Sequence, residues 1–304
     1  MKHRVSGAQV DAARRARHRR NRRMQLLMTA GATLAILPLI AIIGDLAMRG
    51  ARAMSVSFLL RSPAPVGVSG GGMGNAIAGT MLLVLIGSLI GIPVGLGAGL
   101  FVAERAHTRL AQVVRYVADV LSGLPSIVVG VFVWELLVRP VGRFSALAGG
   151  VALGLLIIPM VTRATEEVVR LLPRSLIEAA LALGFPRWRT ALVVVLRTSM
   201  PGIVTAALVA IARAAGETAP LLFTALGNTY WSTNPFRPIA ALPLQIFAYA
   251  QSPFDDLRAQ AWAGALVLIM LVVVFSLIAR AVLQARQALL RGGRPSPIVG
   301  EREP

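Results

Sequence analysis

Four stretches of this 304-residue chain carry no charged side chain for long enough to cross a bilayer: Met24 to Gly44, Ser62 to Ala103, Phe144 to Thr162 and Ala259 to Ala279. A spanning helix needs roughly 20 predominantly apolar residues, and the hydrocarbon core offers no partner to a charge or to a free backbone group. The runs therefore predict an all-α, polytopic integral membrane protein. Six spans follow from the pattern: Met24 to Met48, Asn75 to Ala103 with Pro93 inside it as a kink, Leu110 to Leu137, Phe144 to Val161, Thr198 to Ala225, and Gln260 to Leu283. Arg139, Pro140, Gly142 and Arg143 mark the turn between the third and the fourth.

The resulting organisation has four parts. Residues 1–23 form a basic cytoplasmic tail without hydrophobic periodicity, expected to be disordered, and 24–48 form a first anchor helix. A cleavable leader is the competing reading of that anchor, but the apolar stretch is longer than a leader core and no small-x-small site follows. Residues 75–285 form the membrane core with a cytoplasmic loop at about 164–197, and 286–304 form a second disordered tail rich in Arg, Gly and Pro.

Composition agrees with a membrane and changes the meaning of the charge. Hydrophobic residues make up 56% of the chain and charged ones 14%, yet the formal net charge is +18. Such a surplus alone suggests a nucleic-acid partner. Its distribution excludes one: 23 of the 31 Lys and Arg lie in the proposed cytoplasmic segments, with both termini inside, and 7 lie outside. Positive charge retained on the cytoplasmic side orients a polytopic chain. Arg49, Arg52 and Arg61 run against that rule and have no explanation at this level. The chain has no cysteine and only three histidines, His3, His18 and His107, which are scattered through basic segments. No metal site and no catalytic residue is expected.

The cytoplasmic loop holds a short helical pattern. Ser175 to Glu178 fits a capping box, and Gly184 with Pro186 supplies the stop. Between them Leu176 to Leu183 is apolar nearly all round, so it must be covered. It either folds back on its own bundle or docks on a soluble partner, with Phe185 and Trp188 as aromatic anchors. Glu178, Ala179, Ala180 and Gly184 resemble the EAA loop of the membrane subunits of ATP-binding-cassette importers. Val194 and Arg197 depart from that pattern, and Pro201 comes four residues late.

The predicted fifth span contains Arg213 and Glu217, four residues apart and so on one helix face. Each costs roughly 2.5 to 3.5 kcal/mol at the bilayer centre, which makes a functional role the default reading and a structural ion pair the alternative. A guanidinium offers a forked donor set to an oxyanion, and Glu217 would hold it in place. The segment Arg213 to Phe223 resembles the signature of PstA, the phosphate-importer permease family. So do Gly123 to Gly130, Gly71 to Thr80 and Ser252 to Asp256. The residues alone reach no further than an anion.

This resemblance implies a type I importer permease in the plasma (inner) membrane, paired with a second related permease. It further implies two ATPase subunits docked at the EAA loop, which would bind ATP and Mg, and an extracytoplasmic phosphate-binding protein. Arg213 and Glu217 are the candidate substrate contacts, with Ser122, Ser126 and Thr218 as hydroxyl donors unless these satisfy their own helix backbones. Gly70 to Gly74 lacks the Gly-Lys-Ser/Thr of a phosphate-binding loop, so no nucleotide site is expected on this chain. Two rivals stand: a permease for molybdate or phosphonate, and a stand-alone gradient-driven transporter with Arg213, Glu217 and Asp119 as a charge relay.

Overall fold

The computed structural model describes residues 7–65, 68 and 70–291. In chain order the helices are α1 (Gly7–Ala53), α2 (Val56–Leu60), α3 (Gly74–Glu104), α4 (Arg109–Gly123), α5 (Ser126–Val133) and α6 (Arg139–Val141), followed by α7 (Ala146–Arg170), α8 (Arg174–Ala182) and α9 (Arg187–Arg189). The remainder are α10 (Leu196–Ala215), α11 (Ala219–Thr224), α12 (Leu242–Ala250) and α13 (Asp255–Arg291). Short π-helical stretches at Trp134–Val138 and Thr190–Val195 join α5 to α6 and α9 to α10.

Five helical segments are long and apolar enough to cross a membrane: Arg20–Ala53, Gly74–Glu104, Ala146–Arg170, Arg187–Ala215 and Asp255–Ile278. The sixth crossing is the broken pair Arg109–Gly123 and Ser126–Val141, bent by 105°. The third span is thus not one straight helix from Leu110 to Leu137. Pro125 supplies no amide and disfavours helical backbone at Leu124 before it, and both residues are extended.

Several boundaries move. The arm expected to be disordered over 1–23 is helical from Gly7 onward, because Ala and Arg are strong helix formers and nothing breaks the helix before the membrane. α13 likewise runs on to Arg291, past the expected boundary at 285. The remainder of the two tails, 1–6 and 292–304, lies outside the described residues. α7 continues nine residues beyond Val161, so the first part of the expected cytoplasmic loop, 164–170, is the end of a membrane helix.

The centre of the molecule is the α3–α7 pair, with α10 and α11 against it. Gly87, Gly91, Gly95 and Gly99 recur every fourth residue on one face of α3 and meet Leu153, Ile157, Val161 and Thr165 of α7. Small residues let membrane helices approach to backbone contact, where dispersion and close packing replace the missing hydrophobic drive. Residues 225–241 fold back over one end of the bundle. Leu226, at φ 62°, and Gly227 turn the chain, and Leu226 bridges to Ile239. The Asn75 side chain donates to the Asn228 carbonyl at 2.8 Å, and the Leu242 amide donates to Thr80 Oγ1 at 2.8 Å.

α1 stands apart, its apolar residues from Met24 to Ile43 exposed along the helix and therefore facing lipid or another chain. Its C-terminal end packs on α13. There Arg49 bonds Asp45 at 2.7 Å and lies over the Trp262 ring at 5.1 Å, which gives partners to one of the three arginines that run against the charge rule.

Candidate functional site

Two helix breaks lie side by side. α10 ends at Ala215, and α11 restarts at Ala219 with Pro220 in its first turn. α4 ends at Gly123, and α5 restarts after Pro125. α5 packs on α11 at Gly130, where a side chain would meet Pro220 Cα at 2.6 Å. Glycine there is what allows the two restarted helices to touch.

Arg213 occupies the last turn of α10. Its Nε lies 3.7 Å from Glu217 Oε1, an ion pair too long for a hydrogen bond. The Arg213 side chain is 68% exposed and that of Glu217 19%. The guanidinium is thus largely uncovered by its own bundle, and among the described residues it ties no second helix of this chain. Ser122 is exposed, and Ser126 and Thr218 are half-buried. Among the described residues none of these three hydroxyls bonds its own backbone, the alternative that serine and threonine in helices usually take.

Helix α8 begins two residues earlier than the capping box requires. Pro173 is its N-cap, and Ser175 makes no capping bond to the helix start. Its far end is as expected: Gly184 adopts φ 82°, with Gly184 N–H bonded to Leu181 O at 2.9 Å and Phe185 N–H to Ala180 O at 3.2 Å. That pair of bonds is the Schellman stop, which the left-handed glycine makes possible. One edge of the helix rests on the bundle, with Ile177 against Leu100, Val169 and Val195, and the rest is uncovered. Ala180 is its only buried residue, whereas Glu178, Ala179 and Gly184 are exposed, Leu183 is 79% exposed and Trp188 65%. Phe185 is half-buried beneath Arg189, whose guanidinium stands 5.0 Å from the ring.

A third constellation was not anticipated. Glu166 of α7 is buried, its side chain 2% exposed, and its Oε1 accepts from Arg115 Nε at 3.0 Å and Nη2 at 2.7 Å. Arg170 reaches the same oxygen at 2.7 Å, Arg163 reaches Oε2 at 3.2 Å, and Arg163 also pairs with Asp119 at 2.9 Å. Asp119 is thus engaged by Arg163 and is not brought to Arg213 or Glu217, which removes the link that a charge relay would need. The sequence signal was present as Arg115 and Asp119 at i,i+4 and Arg163, Glu166 and Arg170 at i,i+3 and i,i+4 spacing. Ending the fourth span at Val161 hid it.

Residues 91–287 match the family of binding-protein-dependent transport system inner membrane components. The chain is 44% identical over 267 residues to the phosphate transport system permease protein PstA of Yersinia pestis, covering 88% of this chain and 90% of that one. It is 48% identical over 215 residues to the PstA of Xylella fastidiosa, covering 70% and 75%. The chain belongs to the PstA family. A more distant PstA-family relative, the probable phosphate transport system permease protein of Methanocaldococcus jannaschii, is 37% identical over 243 residues, 78% of this chain and 84% of that one. The PstA-family fold recurs in a chain of the inward-facing MetNI methionine ABC transporter. That match has a TM-score of 0.56 at 21% identity, covering 70% of this chain and 93% of the other. This PstA-family chain is accordingly a multi-pass inner-membrane transport permease with the importer permease fold.

Proposed function

We propose that this chain is the membrane-spanning permease subunit of an ATP-driven phosphate importer and forms one wall of its translocation path. Kinship with phosphate permeases over nearly the whole chain carries the reading. Arg213 and Glu217 are the substrate-path pair. An arginine that its own bundle leaves uncovered costs roughly 2.5 to 3.5 kcal/mol against lipid, so its face needs a protein-lined, hydrated cover. A second, related permease would provide that cover, with the path between the two chains. Ser122, Ser126 and Thr218 supply neutral donors along it.

α8 and Trp188 form the docking site for the ATPase, since an exposed apolar helix in the cytoplasm requires a partner. Two ATPase subunits would hydrolyse ATP with Mg, and an extracytoplasmic phosphate-binding protein would load the external side. Both termini lie in the cytoplasm by the distribution of positive charge.

The test is phosphate uptake by the chain co-assembled with a partner permease and an ATPase subunit from the same organism. ATP-dependent uptake is expected, insensitive to excess molybdate or phosphonate, and abolished by Arg213→Ala with membrane insertion intact. Wild-type uptake in that variant overturns the role of Arg213. Strong competition by either other anion moves the substrate. Gradient-driven uptake by the purified single chain would restore the stand-alone reading.

A further inference from the structure

We propose that Glu166 is a positioning residue that makes α4 move as one body with α7, so that displacement of the docking helix α8 reaches the break at Leu124 and Pro125. The inference rests on the proposed transport function.

The way α4 is held points to this role. α4 buries only two residues, Ala111 and Ala118, and exposes Leu110, Val113, Tyr116, Val117 and Val120. Two alanines cannot fix a helix in register. The α3–α7 seam has its ladder of glycines, but the α4–α7 seam has the charge network instead. Glu166 gathers Arg115 from α4 with Arg163 and Arg170 from its own helix, and Asp119 returns a second tie from α4 to Arg163. A buried ion network is a poor source of net stability compared with apolar packing, but it is discrete: removing one partner leaves a buried charge uncompensated, and sliding by one residue breaks every bond.

The two ends of the network matter equally. Arg170 is the last residue of α7, and α8 starts at Arg174, after Pro173. α4 ends at the 105° break, beyond which α5 leans on α11 through Gly130 and Pro220. α11 begins two residues after Glu217. The clasp thus joins the foot of the docking helix to the helix that carries the first of the two breaks, through a span where charge without a role is costly.

The cysteine-free chain allows a direct test. In the complete complex reconstituted in proteoliposomes, Glu166→Gln is combined with Asp119→Cys and Arg163→Cys, and the two thiols are then joined by a short bifunctional thiosulfonate. Without the cross-link, uptake should fall about tenfold while ATP hydrolysis stays within about twofold, the size of a typical coupling free energy. The phosphate concentration for half-maximal uptake should be unchanged. Cross-linking should restore most of the uptake, and reduction should remove it again. Asp119→Cys with Arg163→Cys, keeping Glu166, serves if the triple variant fails to assemble, with a smaller loss and the same rescue.

The proposal is overturned if cross-linking abolishes uptake, because the helices then separate during the cycle. It is equally overturned if uptake and hydrolysis fall together, if uptake does not fall, or if the cross-link brings no recovery. A wild-type complex without ATP-dependent phosphate uptake would instead remove the functional reading itself.

Discussion

Gly91 of α3 lies so close to Ile157 of α7 that a side chain at Gly91 would come within 2.7 Å of the Ile157 Cβ. Overpacking at such a seam costs about 1–3 kcal/mol. Gly91→Val is expected to lower the melting temperature of the detergent-solubilised protein. Gly97→Ala on the same helix has open space around it and is expected to be neutral or to gain about 0.5–1 kcal/mol from helix propensity. Equal losses in both variants, measured by thermal denaturation, would mean that the seam is not what holds the pair.

Thr80 joins the start of α12 to α3. Its hydroxyl donates to Ala76 O at 2.8 Å and accepts from the Leu242 amide at the same distance, in a buried setting. Thr80→Val keeps the shape but orphans that amide, at a cost of about 1–3 kcal/mol. Thr80→Ser should restore most of the loss, and thermal stability of the two variants side by side decides.

Gly184 is constrained by conformation rather than by space: its φ is 82° and no neighbour lies within contact of an added side chain. Asn tolerates left-handed backbone and Val does not, a difference of roughly 1–2 kcal/mol. Gly184→Asn is expected to behave as wild type. Gly184→Val should insert normally and hydrolyse ATP in the assembled complex while uptake drops. Parallel assays of hydrolysis and uptake check this, and unchanged coupling in the Val variant would count against α8 as the docking helix.

Leu183 and Trp188 are the exposed apolar side chains beside the Schellman stop. An aromatic anchor of an interface contributes about 2 kcal/mol or more, near thirtyfold in affinity. Trp188→Ala and Leu183→Asp should each reduce retention of the ATPase on the immobilised permease by about that factor, leaving insertion unchanged. Full retention in both variants would place the docking surface elsewhere.

The sequence by itself determined that the chain crosses the membrane repeatedly, roughly where it does so, and the stop of α8 at Gly184. Each follows from a short run of neighbouring residues: an uncharged stretch long enough for a bilayer, a glycine free to turn left-handed. The tertiary structure alone decided that α8 rests on the bundle by one edge and leaves the other uncovered, that the Arg213 side chain is largely exposed, and that Glu166 is buried beneath three arginines. The capping box failed for the same kind of reason, since Ser175 and Glu178 have the right spacing but α8 starts at Arg174 with Pro173 as its N-cap. Arg115 and Glu166 are 51 residues apart and meet only because α4 packs on α7. No local pattern encodes that meeting. A count of charges orients a chain in the membrane, but which charges pair is settled by helices that converge from distant parts of the chain.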